Sequence, residues 1–330
     1  MKNYIYNSTT GDGYMNLSVD QYILHRYRNG SMKGVTMYFY VNDNAVIIGR
    51  NQNAWRECRV EAMQADGVQL VRRHTGGGAV YHDRGNLNFS FITNEKHYNV
   101  KRQTEVIARA CRKFGIETEV SGRNDILTDG RKFSGNAFAL EGIARGHHGT
   151  VLINVDMTKL SNYLNVSKQK LRAKGVASVR SRVCNLNDIA PVTVEAMRDS
   201  IIEQFELEYG NVEPLVFGED DLRAIDEIYA VQSSWEWRLG MAPSFDHIIE
   251  TRLPAGEIQL HTRLKSGMIA EAKVYTDALD TDAAGEIEML VLGSRLDKDE
   301  LYSRLNVGGE AARQLAGYIL TEGVNNESHA

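Results

Sequence analysis

The sequence predicts a mixed α/β protein in two parts. A sheet domain over residues 1–246 carries interspersed helices and strands without regular βαβ alternation, and a small α+β domain occupies 247–330. Three observations predict this. Val106, Ile107, Ala110, Cys111 and Phe114, and again Val194, Met197, Ile201 and Phe205, recur at helical spacing. Ile258, Leu260, Thr262 and Leu264 alternate with Gln259, His261, Arg263 and Lys265, as in a strand with one face buried. The chain of 330 residues is also long enough for two cores.

The elements follow in order. Ser18 to Arg28 reads as a helix with a Ser18/Gln21 capping box, stopped at Asn29-Gly30. Met37–Val41 and Ala45–Gly49 read as strands around Asn42-Asp43-Asn44, and Trp55–Asp66 as a helix ending at Gly67. Val68–Val71, Ala79–Tyr81 and Asn86–Thr93 are expected strands. So is Ile116–Val120, and Asp125–Thr128 with Lys132–Leu140 form a hairpin closed by Asp129-Gly130. Thr150–Val155 adds a strand, and Thr193–Glu208 an amphipathic helix. Glu219, Asp220 and Asp221 open another helix, where acidic residues suit the N-terminus. After a boundary near Trp235–His247, the strand through Ile258 turns at Ser266-Gly267 into Met268–Thr276. Helices follow near 283–292, 296–305 and 310–320, the second capped by Asp297 and Glu300.

Composition narrows the function. Hydrophobic residues are 42% and charged residues 25%, ordinary for a globular protein, and the net charge of −5 argues against coating nucleic acid. The start, MKNYIYNSTTGDG, lacks an apolar signal-peptide core, and no apolar run approaches membrane-spanning length. Cys58, Cys111 and Cys184 are odd in number and widely spaced, which fits neither a disulfide framework nor a zinc knuckle and suggests the reducing cytoplasm. Cys111 falls on a helical core face.

Residues 72–91, RRHTGGGAVYHDRGNLNFSF, concentrate the chemical signals. Gly76, Gly77 and Gly78 leave backbone bare, so it can adopt positive φ and approach another molecule closely. Their N–H groups, flanked by Arg72 and Arg73, suit an anion such as a phosphate or carboxylate; a tight turn between strands explains the triplet as well. Lys132, just past a tight turn, can aim its ammonium at one point, although such a lysine is ordinarily a surface group. Ser134-Gly135-Asn136 beside it would let a ligand lie against the backbone. Asn124 and Asp125 could bind ribose, an adenine edge or Mg2+, or form a plain turn. His82-Asp83 reads as an acid–base pair or a capped turn, the latter being the simpler. His147 and His148 are neighbours that point to opposite strand faces, which disfavours one shared metal. Residues 165–182 carry six Lys or Arg with little periodicity, as a binding loop or a solvated basic face would. No Walker A, kinase or G-x-S-x-G signature occurs.

Six segments in one order resemble the lipoate–protein ligase A family: RRHTGGGAVYHDRGN, GRND, RKFSGNAF, HHGTVLIN, KLRAKGVASVRSRV and SSWEWRLGMAPSF. The resemblance covers nearly the whole chain. It implies a catalytic domain like that of biotin protein ligase plus an accessory domain. It further implies a two-step reaction, in which lipoate and MgATP give lipoyl-AMP and pyrophosphate, and the lipoyl group then passes to a lysine ε-amine. The implied acceptors are lipoyl domains of 2-oxoacid dehydrogenases and the glycine-cleavage H protein, with the enzyme a monomer.

On the family pattern, Arg73, Gly78, Ala79, Val80, Tyr81, Asn124, Asp125 and Lys132 meet ATP or the adenylate. Arg73, Gly76, Gly77, His82, Lys132, Ser134, Gly135, His148 and Gly149 meet lipoate. Lys132 is the catalytic cation, contacting both the lipoyl carboxyl and the α-phosphate. Lys170, Lys174, Gly175, Val176, Ser178, Val179 and Arg180 belong to a loop that closes over the adenylate, and Asp125 is the candidate Mg2+ ligand and base. Lipoate also needs an apolar tunnel, for which Leu17, Tyr38, Val80 and the Gly76-Gly77 backbone are candidates. Two rival functions stand beside this one: an ATP-independent lipoyl or octanoyl transferase acting through Cys184, and a non-catalytic binder of lipoyl domains.

Overall fold

A computed structural model describes residues 2–121, 125–164, 183–239, 247–265, 268–295 and 297–324. Asn124, the expected closing loop (Lys170, Lys174, Gly175, Val176, Ser178, Val179, Arg180) and the Ser266-Gly267 turn lie outside the described residues.

The core of the first part is an eight-stranded mixed sheet. Its strands are β1 (Asn3–Asn7), β2 (Val35–Tyr40), β6 (Asn86–Asn94), β7 (Glu119–Ser121), β8 (Asp125–Thr128), β9 (Arg131–Glu141), β10 (Ala144–Leu152) and β11 (Val212–Pro214), in the spatial order β11-β1-β2-β6-β10-β9-β8-β7. β1 runs parallel to β2 and β11; the other pairs are antiparallel. β2 is buried on both faces, so period two sorts its side chains. Val35, Met37 and Phe39 join a core with the helices Val100–Arg112 and Val194–Tyr209, whereas Tyr38 and Tyr40 join one built with α1 (Gly13–Arg28).

A second, three-stranded sheet, β4 (Gln69–Arg72), β3 (Ala45–Ile48) and β5 (Val80–His82), stands beside α1 and carries the glycine triplet between β4 and β5. The third sheet is antiparallel: β12 (His247–Leu253), β13 (Gly256–Lys265) and β14 (Met268–Thr276). Its core draws every member from residues 249–324, with helices Ala283–Val291, Lys298–Leu305 and Glu310–Glu322 packed against it.

Several elements differ from the sequence expectation. α1 begins at Gly13 rather than Ser18. The carboxylate of Asp12 caps it by accepting from the Tyr14 and Met15 amides, and Ser18 instead donates to the Tyr14 carbonyl within the helix. The two strands flanking Asn42 belong to different sheets. The helix expected over 55–66 is split into Ala54–Glu57 and Val60–Ala65, because the Arg59 amide leaves the helical ladder to donate to Tyr163 O. β10 starts at Ala144, six residues earlier than expected, and β12 was not anticipated at all.

The accessory unit touches the first part through the glycine triplet. The Gly77 amide donates to Ala278 O (3.0 Å), and the Thr276 amide to Asn51 O (2.8 Å). A Cβ on Gly76 would lie 2.1 Å from Ala278 O, so a bare residue there permits the contact. Gly77 has φ +99°, a conformation suited to glycine.

Candidate active site

Lys132 is placed by a hairpin with little freedom. Asp129 and Gly130 both have positive φ (48° and 70°), as a two-residue turn between twisted antiparallel strands requires. Two residues later the Lys132 ammonium meets the Asp125 carboxylate at 2.7 Å, with both side chains about one-third exposed. Asp125 stands opposite Gly135 in the ladder. A Cβ on Gly135 would lie 2.9 Å from Lys132 Nζ, so this glycine makes room for the ammonium. The pair borders a cavity of about 420 Å3.

The two arginines before the triplet are both held by main-chain carbonyls, but only Arg73 borders the cavity. Arg72 is 1% exposed, and its guanidinium donates to the carbonyls of Gly49, Arg50, Gln52, Trp237 and Arg238. It organises main chain and offers nothing to an anion. Arg73 is also buried, donating to Gly76 O, Gly78 O and Ile47 O; it borders the cavity but is bound to the triplet's own carbonyls. Burial lowers both guanidinium pKa values to about 10, which leaves them charged at neutral pH.

The rest of the cavity is an apolar wall set with buried polar groups. Leu17 from α1, Tyr40 from β2, Ile47 from β3 and Val80 from β5 supply apolar surface. Tyr38 does not line it, because it is buried and gives its hydroxyl to Asn16, while Tyr40, two residues on, does. His148 Nε2 lies 2.9 Å from Thr75 Oγ1, and its Nδ1 lies 3.6 Å from the Asp20 carboxylate. Burial opposes charge on Asp20, but His148 and His74 hold its carboxyl below the usual carboxylate range. His74 stands edge-on to His148 and is pushed down to about 4 by burial; His82 is pushed down to about 3 by burial. Both are therefore neutral imidazoles at neutral pH.

The structure gathers Arg73, Gly77, Gly78, Ala79, Val80, Tyr81, His82, Asp125, Lys132, Gly135, His148 and Gly149 around this one cavity. Gly76 and Ser134 are not among its lining. Gly76 is committed to the accessory-unit contact, and Ser134 is fully buried with Oγ 3.5 Å from Asn136 Nδ2. His147 points the other way from His148, into the core between Gln103 and Asn136. Asp83 is a turn residue that accepts from the Gly85 and Asp156 amides, so it makes no pair with His82. Cys184 is buried in the main core against Arg131 O, and burial raises its pKa. Among the described residues no group of three His, Cys, Asp or Glu could hold a metal.

Sequence reasoning missed Asp20, His74 and Asn88, and missed every accessory-unit residue at the cavity; Asn136, named in the Ser134-Gly135-Asn136 patch, lines it. Arg252 is one of these, ion-paired to Asp277 (3.2 Å) and Glu257 (3.5 Å), with Asp277 and Leu279 beside it. A wider groove of about 960 Å3 around Asp43, Arg84, Asp156 and Lys159 holds none of these groups and is a surface depression.

Comparison with known proteins places this geometry. The Lipoyl protein ligase A/B catalytic domain family matches residues 12–206, and the Bacterial lipoate protein ligase C-terminus family matches 242–313. Lipoate-protein ligase A of Psychrobacter cryohalolentis is 35% identical over 329 residues, covering 97% of this chain and 96% of the relative. The crystal structure of Plasmodium falciparum LipL1 in complex with lipoate superposes with a TM-score of 0.83 at 26% identity, covering 97% of this chain and 99% of that one. A lipoate-protein ligase A bound with ATP superposes at 0.64 with 27% identity, covering 73% of this chain and 99% of that one. A cavity with a fixed lysine, a bare-backbone loop and an apolar wall, in a chain matched from end to end, identifies this protein as a member of the lipoate–protein ligase A family.

Proposed function

We propose that this chain converts lipoate and ATP to lipoyl-AMP and pyrophosphate, and passes the lipoyl group to the lysine of apo lipoyl domains in 2-oxoacid dehydrogenases and the glycine-cleavage H protein. The observation that carries the reading is the Lys132 ammonium at the border of one cavity that joins the glycine triplet to an apolar wall. Attack of a carboxylate on the α-phosphate brings two anions together. A cation held by a two-residue hairpin offsets that repulsion without reorganising.

In the resting arrangement Lys132 leans on Asp125. When substrate oxygens take over the ammonium, Asp125 is released. It is then free to accept the proton that the acceptor ammonium must lose before its amine attacks the acyl carbon and expels AMP. Asp125 fits Mg2+ as a hard oxygen donor at the cavity edge. It is a single carboxylate, so the ion would be held mostly by the substrate's phosphates and water. Mg2+ there would neutralise phosphate charge.

Arg73 holds the loop that meets the nucleotide, Asn124 and the 170–180 loop complete the adenylate site, and His82, His148 and Gly149 border the acyl group. The catalytic unit comprises residues 1–246 and the accessory unit 247–330. The enzyme works as a monomer in the reducing cytoplasm, a setting that suits three free cysteines. Transfer through Cys184 is disfavoured, because a buried thiol with a raised pKa is a poor nucleophile.

The deciding experiment mixes the purified full chain with lipoate, MgATP and an apo lipoyl domain. AMP, pyrophosphate and a lipoylated domain are expected. Acyl transfer that proceeds without nucleotide, or a stable complex without pyrophosphate release, would displace the reading.

A further inference from the structure

We infer that Asn16 and Asn42 are positioning residues that lock His82 as an Nε2–H donor facing the acyl part of the cavity. The site then selects an acyl group ending in hydrogen-bond-accepting sulfur over a plain alkyl chain. The inference rests on the lipoate-ligase reading.

The tautomer follows from a chain of buried side chains. Asn16 Nδ2 lies 3.1 Å from Thr10 O, a carbonyl that can only accept, so the atom there is the amide nitrogen. Consistently, Asn16 Oδ1 accepts from Ser8 Oγ (2.6 Å) and from the Tyr38 hydroxyl (3.2 Å). Asn16 Nδ2 also donates to Asn42 Oδ1 (2.9 Å), which turns the Asn42 nitrogen toward His82. That nitrogen sits 3.1 Å from His82 Nδ1, which must therefore accept. A neutral imidazole that accepts at Nδ1 carries its proton on Nε2.

Among the described residues His82 Nε2 has no partner, and the residue is 4% exposed while lining the cavity. Val80 and His82 are two apart on β5 and share its face, opposite Ile47 and Ala45 of β3. The unpaired N–H thus stands among the apolar groups that an acyl chain would meet. His74 adds a second buried imidazole with neither ring nitrogen partnered among the described residues. Depressed basicity keeps both rings uncharged at neutral pH.

A saturated chain filling this space would leave the N–H desolvated and unpaired. A cyclic disulfide offers a weak acceptor of similar bulk. Sites built around a hydrogen bond reject analogues that lack the partner far better than apolar pockets reject a change of size.

The test reads two signals on the full chain. Imidazole 15N spectra, with His82 assigned by its loss in His82→Gln, are expected to show the Nε2–H tautomer, and the shape-preserving Asn42→Asp to shift it to Nδ1–H. The ratio of kcat/KM for lipoate over octanoate, read as MgATP-dependent acyl-AMP formation, is expected to fall about tenfold in Asn42→Asp and His82→Leu. His82→Gln, which restores an N–H, is expected to recover most of it.

An Nδ1–H tautomer in the unaltered protein overturns the inference. So does an unchanged ratio, or equal losses for both acids. Should His82→Leu not fold, the spectra and Asn42→Asp still decide. Failure of the unaltered protein to adenylate either acid would sink the ligase reading instead. Calorimetric binding of lipoate against octanoate without ATP, in the unaltered protein and Asn42→Asp, tests the selectivity separately.

Discussion

The two sides of the cavity are built differently. On the side of α1, β2, β3 and β5, side chains are buried and tied into networks such as Ser8–Asn16–Asn42–His82 and Asp20–His148–Thr75. On the side of the β8–β9 hairpin and the accessory unit stand partly exposed ion pairs: Lys132–Asp125, each about one-third exposed, and Arg252–Asp277, whose arginine is 44% exposed. The difference suggests a division of labour. On the proposed function, the wall that would meet the acyl group is fixed in advance, whereas the wall that would bring charge to the reacting atoms would exchange partners.

The strongest way to break the fixed side is at Arg72. Arg72→Met would leave five main-chain carbonyls without their buried donor, at a cost of about 3–5 kcal/mol. Chemical denaturation measures this, and a loss below 1 kcal/mol would show the network to be replaceable.

On the exchanging side, Lys132→Ala should lower lipoyl-AMP formation by about 10²–10³-fold, with the melting temperature changed far less than in Arg72→Met because the ion pair is partly exposed. Retention of activity would remove Lys132 from the chemistry.

Acid should act on the buried histidines of the fixed side and of the core behind it. His74, His82 and His147 have folded pKa values pushed well below the unfolded value near 6.5 by burial, so unfolding takes up protons as pH falls below 6.5. Stability is fully present above that pH. It should decline by roughly 1.4 kcal/mol per pH unit for each histidine until its folded pKa is reached. Asp20, with a lowered pKa, acts in the same direction at lower pH. Flat stability between pH 7 and 5 would contradict the buried neutral histidines.

Gly76→Ala should loosen the accessory unit, since a methyl there would meet Ala278 O at 2.1 Å. A separate, lower unfolding transition of the accessory unit in calorimetry is the expected sign, with the first unit's own transition unaltered. The smallest effect is expected for Cys184→Ala, about 1–2 kcal/mol of stability from the buried sulfur, with nucleotide-dependent activity retained. Complete loss of activity in a folded variant would revive the thiol route.

What could be read from the sequence follows from how local each signal is. The Asp129-Gly130 hairpin and the alternation around Ile258 were legible because turn chemistry and period two are set by neighbouring residues. The start of α1 was missed because Asp12 sits between two glycines, which read as loop, and Ser18 offered a plausible cap further on. β10 was clipped because Gly146 and Gly149 interrupt the apolar pattern of a strand whose neighbouring polar residues His147 and His148 point one into the core and one to the cavity. In the site, the bare loop and the turn lysine could be found by composition. Arg72 could not, because adjacent arginines look alike until the fold shows which guanidinium is consumed by carbonyls. Arg252 and Asp277 were invisible because only tertiary packing brings the accessory unit to the cavity.

The hairpin that carries Lys132 has one further implication. Because its connection contains only Asp129 and Gly130, the ammonium's address is written in loop length rather than in loop chemistry. Other residues tolerant of positive φ could replace this pair. One added residue would slide β8 against β9 and turn the cation to the opposite face of the sheet. Relatives of this enzyme should therefore vary freely in what they place at that tip, yet pay dearly for any change in how many residues stand there.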